Sequence, residues 1–283
     1  MKKIWAAVWR ILVFFIGWAG LSAAFVVPVI SEYAPHGAPV PLWLRLYIEA
    51  ASMLTILLAA WLMVRFVDRR PFVSLGFRKE HVTRESIIGL VVGLGMMALC
   101  VGILFAGGCA AWNRDAAFSA SALAIAAFAM LLNTVTQEVL VRGYIQQTIQ
   151  SRFGALVAIV ASSLFFLALH LGAIGAQPLP AISLFAAGVL LATCYSVTGN
   201  LWLPIALHFG WNVLQGPILG EAVSGQKVDA GNHLLTIAGP PLMTGGKFGI
   251  EGGLVAIAIT ILATPLICWI YRNRPASAAS DTT

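Results

Sequence analysis

The chain has 283 residues, of which 60% are hydrophobic and 10% are charged, and its formal net charge is +6. The mean hydropathy is +0.90, and apolar runs long enough to cross a bilayer recur along the chain, which excludes a water-soluble globular protein. The basic residues are distributed between the apolar runs, so the positive-inside rule explains the charge better than nucleic-acid binding does.

The apolar runs predict an all-α fold, a polytopic transmembrane helical bundle of about eight spans that forms one domain over residues 1–283. We place the spans at roughly 11–30, 46–66, 86–107, 119–150, 155–171, 179–198, 201–219 and 250–271. Lys2 and Lys3 precede the first run as in a signal peptide, but the run is longer than a typical signal core. We therefore interpret it as a retained span.

The distribution of basic residues predicts that both termini are cytoplasmic. With that orientation only four of the 17 lysines and arginines fall outside, namely Arg45, Arg114, Lys227 and Lys247, as the positive-inside rule requires. The glycine-rich segment 220–250 is then the one long outer loop, which either covers a cavity or serves as a plain connector.

Three polar groups interrupt the apolar spans. An ionisable side chain at bilayer depth costs at least ~2.5 kcal/mol, so it normally faces a protein interior or a watery cavity and has a function there. The groups are Gln137, Glu138 and Arg142, then His170, then His208 and Asn212.

The spacing along the chain predicts that these groups share one depth. Glu138 and His170 are equally far from Gly154, the turn between the fourth and fifth spans, so at ~1.5 Å per residue each lies ~24 Å from that turn. His208 lies ~12 Å beyond a second turn at Asn200 on the same arithmetic. Because the residues around Gly154 are polar enough to extend the hairpin beyond the bilayer, we expect the groups to line one cavity in the cytoplasmic half.

Residues four apart share a helix face, which pairs Glu138 with Arg142 and His208 with Asn212. A Glu–Arg pair on one helix is also a structural clamp, and a lone histidine in an apolar helix is often a hydrogen-bonded core residue. The agreement in depth favours a shared functional site over these separate structural explanations.

The same residues resemble the CPBP intramembrane proteases, a family that groups CAAX prenyl endopeptidases with bacteriocin-processing and bacteriocin-immunity proteins of the Abi type. The family motif Glu-Glu-x-x-x-Arg-Gly is similar to residues 137–143, Phe-x-x-x-His to residues 166–170, and His-x-x-x-Asn to residues 208–212. The segment 244–251, with the pattern Thr-Gly-Gly-x-Phe-Gly-x-Glu, resembles bacterial members. The resemblance implies a catalytic core of about 119–271, with spans four to seven forming its centre.

The resemblance implies an endopeptidase that cuts peptides or membrane-anchored proteins near the cytoplasmic face of the membrane. In the mechanism proposed for the family, the first glutamate of the first motif and the histidine of the second, here His170, activate a water. His208 and Asn212 would then stabilise the oxyanion. Glu138 and Arg142 would support the site.

One residue departs from the family pattern, because Gln137 stands where the family has its first glutamate. A neutral amide cannot act as a general base. Three interpretations remain open: an engineered Glu→Gln change, transfer of the base role to Glu138, or a non-catalytic relative that binds a peptide or confers immunity to a bacteriocin. The short, broken spans repeated in two halves that are typical of a transporter are not evident.

A zinc site is the alternative to a metal-free site. Glu138, His170 and His208 could supply the two histidines and one glutamate of a catalytic zinc. The three residues come from separate helices without a His-x-x-x-His pair, and Asn212 suits hydrogen bonding better than zinc binding. We therefore favour a site without a cofactor. The sequence leaves the oligomeric state open.

Overall fold

The computed structural model describes residues 1–34, 40–114, 116, 118–175, 177–227 and 232–273. The helices are α1 Lys2–Tyr33, α2 Leu42–Leu62, α3 Val82–Ala106, α4 Ala120–Glu138, α5 Gln147–Phe153, α6 Ala155–Leu169, α7 Leu171–Ile174, α8 Pro178–Thr198, α9 Trp202–Val213, α10 Pro241–Thr244 and α11 Leu254–Tyr271. π-Helical segments cover Met63–Val67, Val139–Gln146 and Leu214–Ile218, and short 3₁₀ helices cover Phe72–Leu75, Gly246–Phe248 and Ile250–Gly252. Two short strands, β1 Ala110–Trp112 and β2 Leu235–Ile237, pair in antiparallel register.

The predicted all-α membrane bundle is confirmed. In the described part of the chain, six helical stretches are long and apolar enough to cross a membrane. They are Lys2–Tyr33, Leu42–Val67, Val82–Ala106, Ala120–Phe153, Pro178–Thr198 and Leu254–Tyr271. The other two predicted spans are shorter helices, since α6 has 15 residues and α9 has 12 residues before its π-helical continuation to Ile218.

The predicted hairpin about Gly154 is present. Residues Ala120–Phe153 form one long helical stretch through α4, the π-helical segment and α5, and α6 starts directly after Gly154. Gly154 has φ +84° and ψ 170°, a conformation that glycine adopts readily and other residues rarely do. The chain therefore reverses there, and α6 returns beside the helix that carries Gln137 and Glu138.

Close contact between α3 and α9 fixes the helix that bears the third motif. A Cβ atom on Gly89 would fall 2.6 Å from the carbonyl oxygen of Leu203, and one on Gly93 would fall 2.1 Å from that of Leu207. Small residues at a helix interface let two backbones approach, which is how helices associate within membranes. The backbone of α9 is thus held directly against α3.

The two ends of the bundle differ in what they contain. Arg10 near the start of α1 pairs with Asp68 after α2 at 3.0 Å, and the rings of Phe14 and Tyr144 are 4.3 Å apart. These contacts bring the start of α1 to the same end of the bundle as the Gly154 turn, and we call this end the turn face. The opposite end, which we call the loop face, holds the starts of α2 and α4, the end of α6 and the connecting residues 219–227 and 232–253.

Candidate functional site

A cavity of about 280 Å³ lies inside the bundle, between the loop face and the three motifs. Four of the predicted site residues line it: Gln137, His170, His208 and Asn212. The helices α4, α6 and α9 bring these side chains together from positions far apart in the sequence. The structure thus assembles the histidines and amides of all three motifs around one space.

Glu138 and Arg142 stand behind this cavity. Both side chains are fully buried, and Arg142 donates to Glu138 Oε1 at 3.0 Å. The same Oε1 lies 2.8 Å from Nδ1 of His208. Because an ionised carboxylate only accepts hydrogen bonds, Nδ1 is the donor, which leaves Nε2 of His208 for the cavity.

Arg142 also has partners other than Glu138. It donates to the carbonyl oxygen of Gly188 at 3.3 Å, and its guanidinium lies 4.5 Å from the ring centre of Phe166. Glu138 is absent from the residues that line the cavity, so the expectation that it lines the cavity with the histidines is wrong. Its surroundings fit the supporting role that orients His208 and do not fit the role of a general base.

The His170 ring has one nitrogen that is hydrogen-bonded within its helix, while the ring itself lines the cavity. Its Nδ1 lies 2.8 Å from the carbonyl oxygen of Phe166, one helical turn earlier. A carbonyl only accepts, so Nδ1 carries the hydrogen, and Nε2 of the neutral ring is an acceptor. The Phe166 ring packs against both histidines, with ring centres 4.8 Å from His170 and 5.9 Å from His208.

Gln137 belongs to a hydrogen-bonded chain that sequence reasoning missed. Its Nε2 donates to Asn133 Oδ1 at 2.7 Å, and Asn133 Nδ2 donates to Glu49 Oε2 at 2.9 Å. Glu49 on α2 and Asn133 both line the cavity. Both fall within predicted spans, so the insertion cost that identified the three motifs would also have identified them. Gln137 Oε1 has no hydrogen-bond partner among the described residues.

The loop 219–227 forms one wall of the cavity through Val223, Ser224 and Gln226. The backbone N–H of Ser224 donates to the Glu251 carboxylate, and Trp211 Nε1 donates to the same carboxylate at 3.3 Å. Burial raises the pKa of Glu251 above its usual range, against these donors. Of the two interpretations of segment 220–250, this part of it fits a cover over the cavity.

The segment 244–251 explains why this wall stays in place. Gly249 has φ +104°, and a Cβ there would fall 2.0 Å from the carbonyl oxygen of Ala222. The carbonyl oxygen of Phe248 accepts from the backbone N–H of Gly225 at 2.9 Å. Gly249 and Glu251 therefore hold the loop 219–227 in place, through contacts to Ala222 and Ser224.

A second cavity of about 50 Å³ adjoins the first and shares His208, Asn212 and Ser224 with it. Most of its remaining lining is apolar, including Leu190, Leu191 and Leu207. The space beside the third motif thus suits an apolar side chain.

The position of the cavity sets two of the sequence-based expectations against each other. Arg45 in the first turn of α2 and the loop residues Val223–Gln226 place the cavity on the loop face, whereas the start of α1 lies at the turn face. A cytoplasmic N-terminus and a cavity open to the cytoplasm therefore cannot both hold. Distance from the Gly154 turn had fixed the depth of the groups correctly, but it carried no information on which end of the bundle is open.

The candidate zinc ligands do not form a metal site. Across the described ranges, no group of three or more His, Cys, Asp and Glu side chains is arranged to hold a metal ion. Glu138 Oε1 is already engaged by both Arg142 and His208. The described side chains thus offer no preformed zinc site, and a site without a cofactor stays a prediction.

The comparisons with known proteins agree with the motifs. The sequence model of the Rce1-like family, described as type II CAAX prenyl endopeptidase, matches residues 119–214. Neither curated proteins nor solved structures gave a match. The matched segment includes all three motifs and supports a CAAX-type intramembrane endopeptidase with a peptide or protein substrate in a membrane. The resemblance to the CPBP intramembrane proteases is thus confirmed over residues 119–214, where the chain matches the Rce1-like type II CAAX prenyl endopeptidases.

Proposed function

We propose that the protein is an intramembrane endopeptidase that hydrolyses a peptide bond in a peptide or membrane-anchored protein reaching the cavity from the loop face. The observation that supports the proposal is that His170, whose Nε2 can accept a hydrogen bond from water, lines one cavity together with His208 and Asn212. These side chains suit the two needs of amide hydrolysis, an acceptor for the water and donors for the oxyanion.

In this mechanism water is held by Nε2 of His170 and attacks the scissile carbonyl. The Asn212 amide N–H donates to the developing oxyanion, and Nε2–H of His208 does so when the ring is the imidazolium cation, whose Nδ1–H stays hydrogen-bonded to Glu138. Loss of such a donor typically costs ~10²–10³-fold in rate. Glu138 fixes the ring of His208 through Nδ1, and Arg142 holds Glu138 in place. A carboxylate is still required on the water side, since Gln137 cannot accept a proton.

The substrate has an apolar side chain beside the scissile bond. The smaller cavity, which adjoins His208 and Asn212 and is lined by leucines, supports this inference. Whether that residue carries a prenyl group is a question for the substrate panel below. A bacterial inner membrane is the proposed location.

The test is a cleavage assay with purified protein in liposomes and quenched fluorescent peptides, prenylated and unprenylated. Replacing His170 or His208 by alanine is expected to lower kcat/KM by roughly 10²–10⁴-fold, the usual contribution of a positioned acid or base. His233→Ala is the matched control, because that histidine is exposed and away from the cavity. Cleavage by both cavity variants at the wild-type rate would falsify the proposal.

A peptide-binding or immunity protein is the second candidate, and Gln137 is the residue that favours it. In that case the same cavity holds a peptide without cutting it. Fluorescence anisotropy with the same peptides separates the two candidates: tight binding without turnover, both in wild type and in Gln137→Glu, would select the binding protein.

A further inference from the structure

We propose that Glu49, on α2, supplies the carboxylate that position 137 lacks and acts as the general base for the attacking water. The inference rests on the proposed endopeptidase function. It assigns a catalytic role to a helix that lies outside both the three motifs and the matched segment 119–214.

Glu49 lies close to the motif residues, at the end of a short chain of hydrogen bonds. Its Oε2 accepts from Asn133, and Asn133 accepts from Gln137. The Glu49 carboxylate therefore lies two hydrogen bonds from the Gln137 amide, on the wall of the cavity that His170 also lines. A general base must reach its proton directly or through one water, and the route to that water is the cavity of about 280 Å³ that Glu49 and His170 both line.

The charge of Glu49 exceeds what its hydrogen bond to Asn133 requires. A hydrogen bond to Asn133 needs only an acceptor, which a glutamine would provide without the cost of a charged group within a membrane span. The only basic side chain that lines the cavity within the described residues, apart from the two histidines, is Arg45, one helical turn before Glu49. An acid that lines a cavity together with amides and a histidine fits proton transfer better than it fits packing.

The orientation of the Gln137 amide suits a positioning role. Because its Nε2 donates to Asn133, its Oε1 is turned away from Asn133 and has no partner among the described side chains. Gln137 is then a neutral positioning residue that links Asn133 to the water side of the site. The acid has moved to α2 while the amide keeps the place of the family glutamate.

In the proposed reaction Glu49 first takes a proton from water and later gives it to the leaving amine. One water hydrogen passes as a proton to the Glu49 carboxylate, and the water oxygen bonds to the carbonyl carbon. The other hydrogen stays on that oxygen and forms a hydrogen bond to His170 Nε2. The tetrahedral intermediate collapses, the C–N bond breaks, and the proton on Glu49 passes to the leaving amine. The products are a carboxylic acid and an amine, and Glu49 is restored.

The experiment compares four proteins in the liposome assay: wild type, Glu49→Gln, Gln137→Glu, and the double variant. Glu49→Gln keeps an acceptor for Asn133 but cannot take a proton, so kcat is expected to fall by about 10²–10⁴-fold with little change in KM. The double variant restores a carboxylate on the water side and is expected to recover most of that loss. Glu32→Gln is the matched control, since Glu32 is exposed at the end of α1 and its removal should change nothing.

The outcomes separate this inference from the proposed function. If Glu49→Gln cleaves as fast as wild type, Glu49 is not the base although the endopeptidase stands. The same holds if wild type is inactive and Gln137→Glu is active. If no variant cleaves any peptide, the endopeptidase itself is wrong. Should Glu49→Gln fold poorly by size-exclusion chromatography, Glu49→Asp replaces it: a shortened carboxylate keeps the proton acceptor, so measurable cleavage supports the inference and complete loss overturns it.

Discussion

Glu138 and Glu49 are two carboxylates in one bundle with opposite surroundings. Glu138 is fully buried, and its Oε1 is held by both Arg142 and His208. Glu49 is half-buried, faces a cavity and accepts a hydrogen bond from Asn133. A carboxylate whose charge is fixed by a cation orients its neighbours, whereas one that borders a cavity can exchange a proton. Environment, more than residue type, assigns the two roles.

Loss of Arg142 should have the largest effect. Arg142→Met removes the guanidinium partner of the buried Glu138 and leaves it only the hydrogen bond to His208. Removing one partner of a buried ion pair typically costs ~3–5 kcal/mol, so a large fall in the thermal unfolding midpoint in detergent is expected. Arg70→Met is the matched control, because Arg70 pairs with Asp68 at 3.8 Å and donates to Gln147 in a partly exposed site, where ion pairs contribute ~0–1 kcal/mol. Equal loss in both variants would remove the distinction between the buried network and the periphery.

The next test asks whether the two carboxylates act separately. Glu138→Gln retains the shape of the side chain but weakens its hold on His208, so kcat should fall by ~10²-fold through the oxyanion side. Combined with Glu49→Gln in a double-mutant cycle, the effects on kcat should add within ~0.5 kcal/mol, as they do for sites without shared partners.

Two readouts support or oppose this separation. Cleavage of an ester analogue, with its better leaving group, should recover part of the loss in Glu49→Gln. A strong coupling between the two substitutions would mean that Glu138 and Glu49 belong to a single network, and the comparison would fail.

The smallest effect concerns Glu251, a third carboxylate that lies outside the spans. Burial raises its pKa above the ordinary 4.5, so the folded protein binds a proton that the unfolded chain releases. Its stabilising effect is complete below that ordinary pKa and declines as the pH rises towards the folded value. The unfolding midpoint should therefore fall less with rising pH in Glu251→Gln than in wild type, as measured by differential scanning fluorimetry. Parallel curves for the two proteins would contradict the prediction.

Much of the candidate site could be predicted from the sequence because helical geometry is regular. Equal residue counts on either side of Gly154 placed the first two motifs at one depth, and the rotation of about 100° between Gln137 and Glu138 separates the residue that lines the cavity from the one behind it. The contact between Glu49 and Asn133 joins residues 84 positions apart. Such a pair depends on how α2 packs against α4, which no local pattern encodes.

The sequence also could not predict at which end of the bundle the cavity opens. The positive-inside rule reports how loops are distributed across the membrane, and it contains no term for where helices diverge within the bundle. That divergence depends on the starts of α2 and α4 and on a loop held by Glu251 and Gly249. The cavity on the loop face is therefore a property of tertiary packing.

The glycine contacts of α3 have a consequence for remote control of the reaction. With Gly89 and Gly93 against the carbonyl oxygens of Leu203 and Leu207, α9 has no side-chain layer that could absorb a change. A bulkier residue on α3 is expected to shift α9 and so move His208 and Asn212, the two proposed oxyanion donors, although it touches neither. Natural variation in α3, outside the matched segment, would then tune the rate while leaving every motif residue intact.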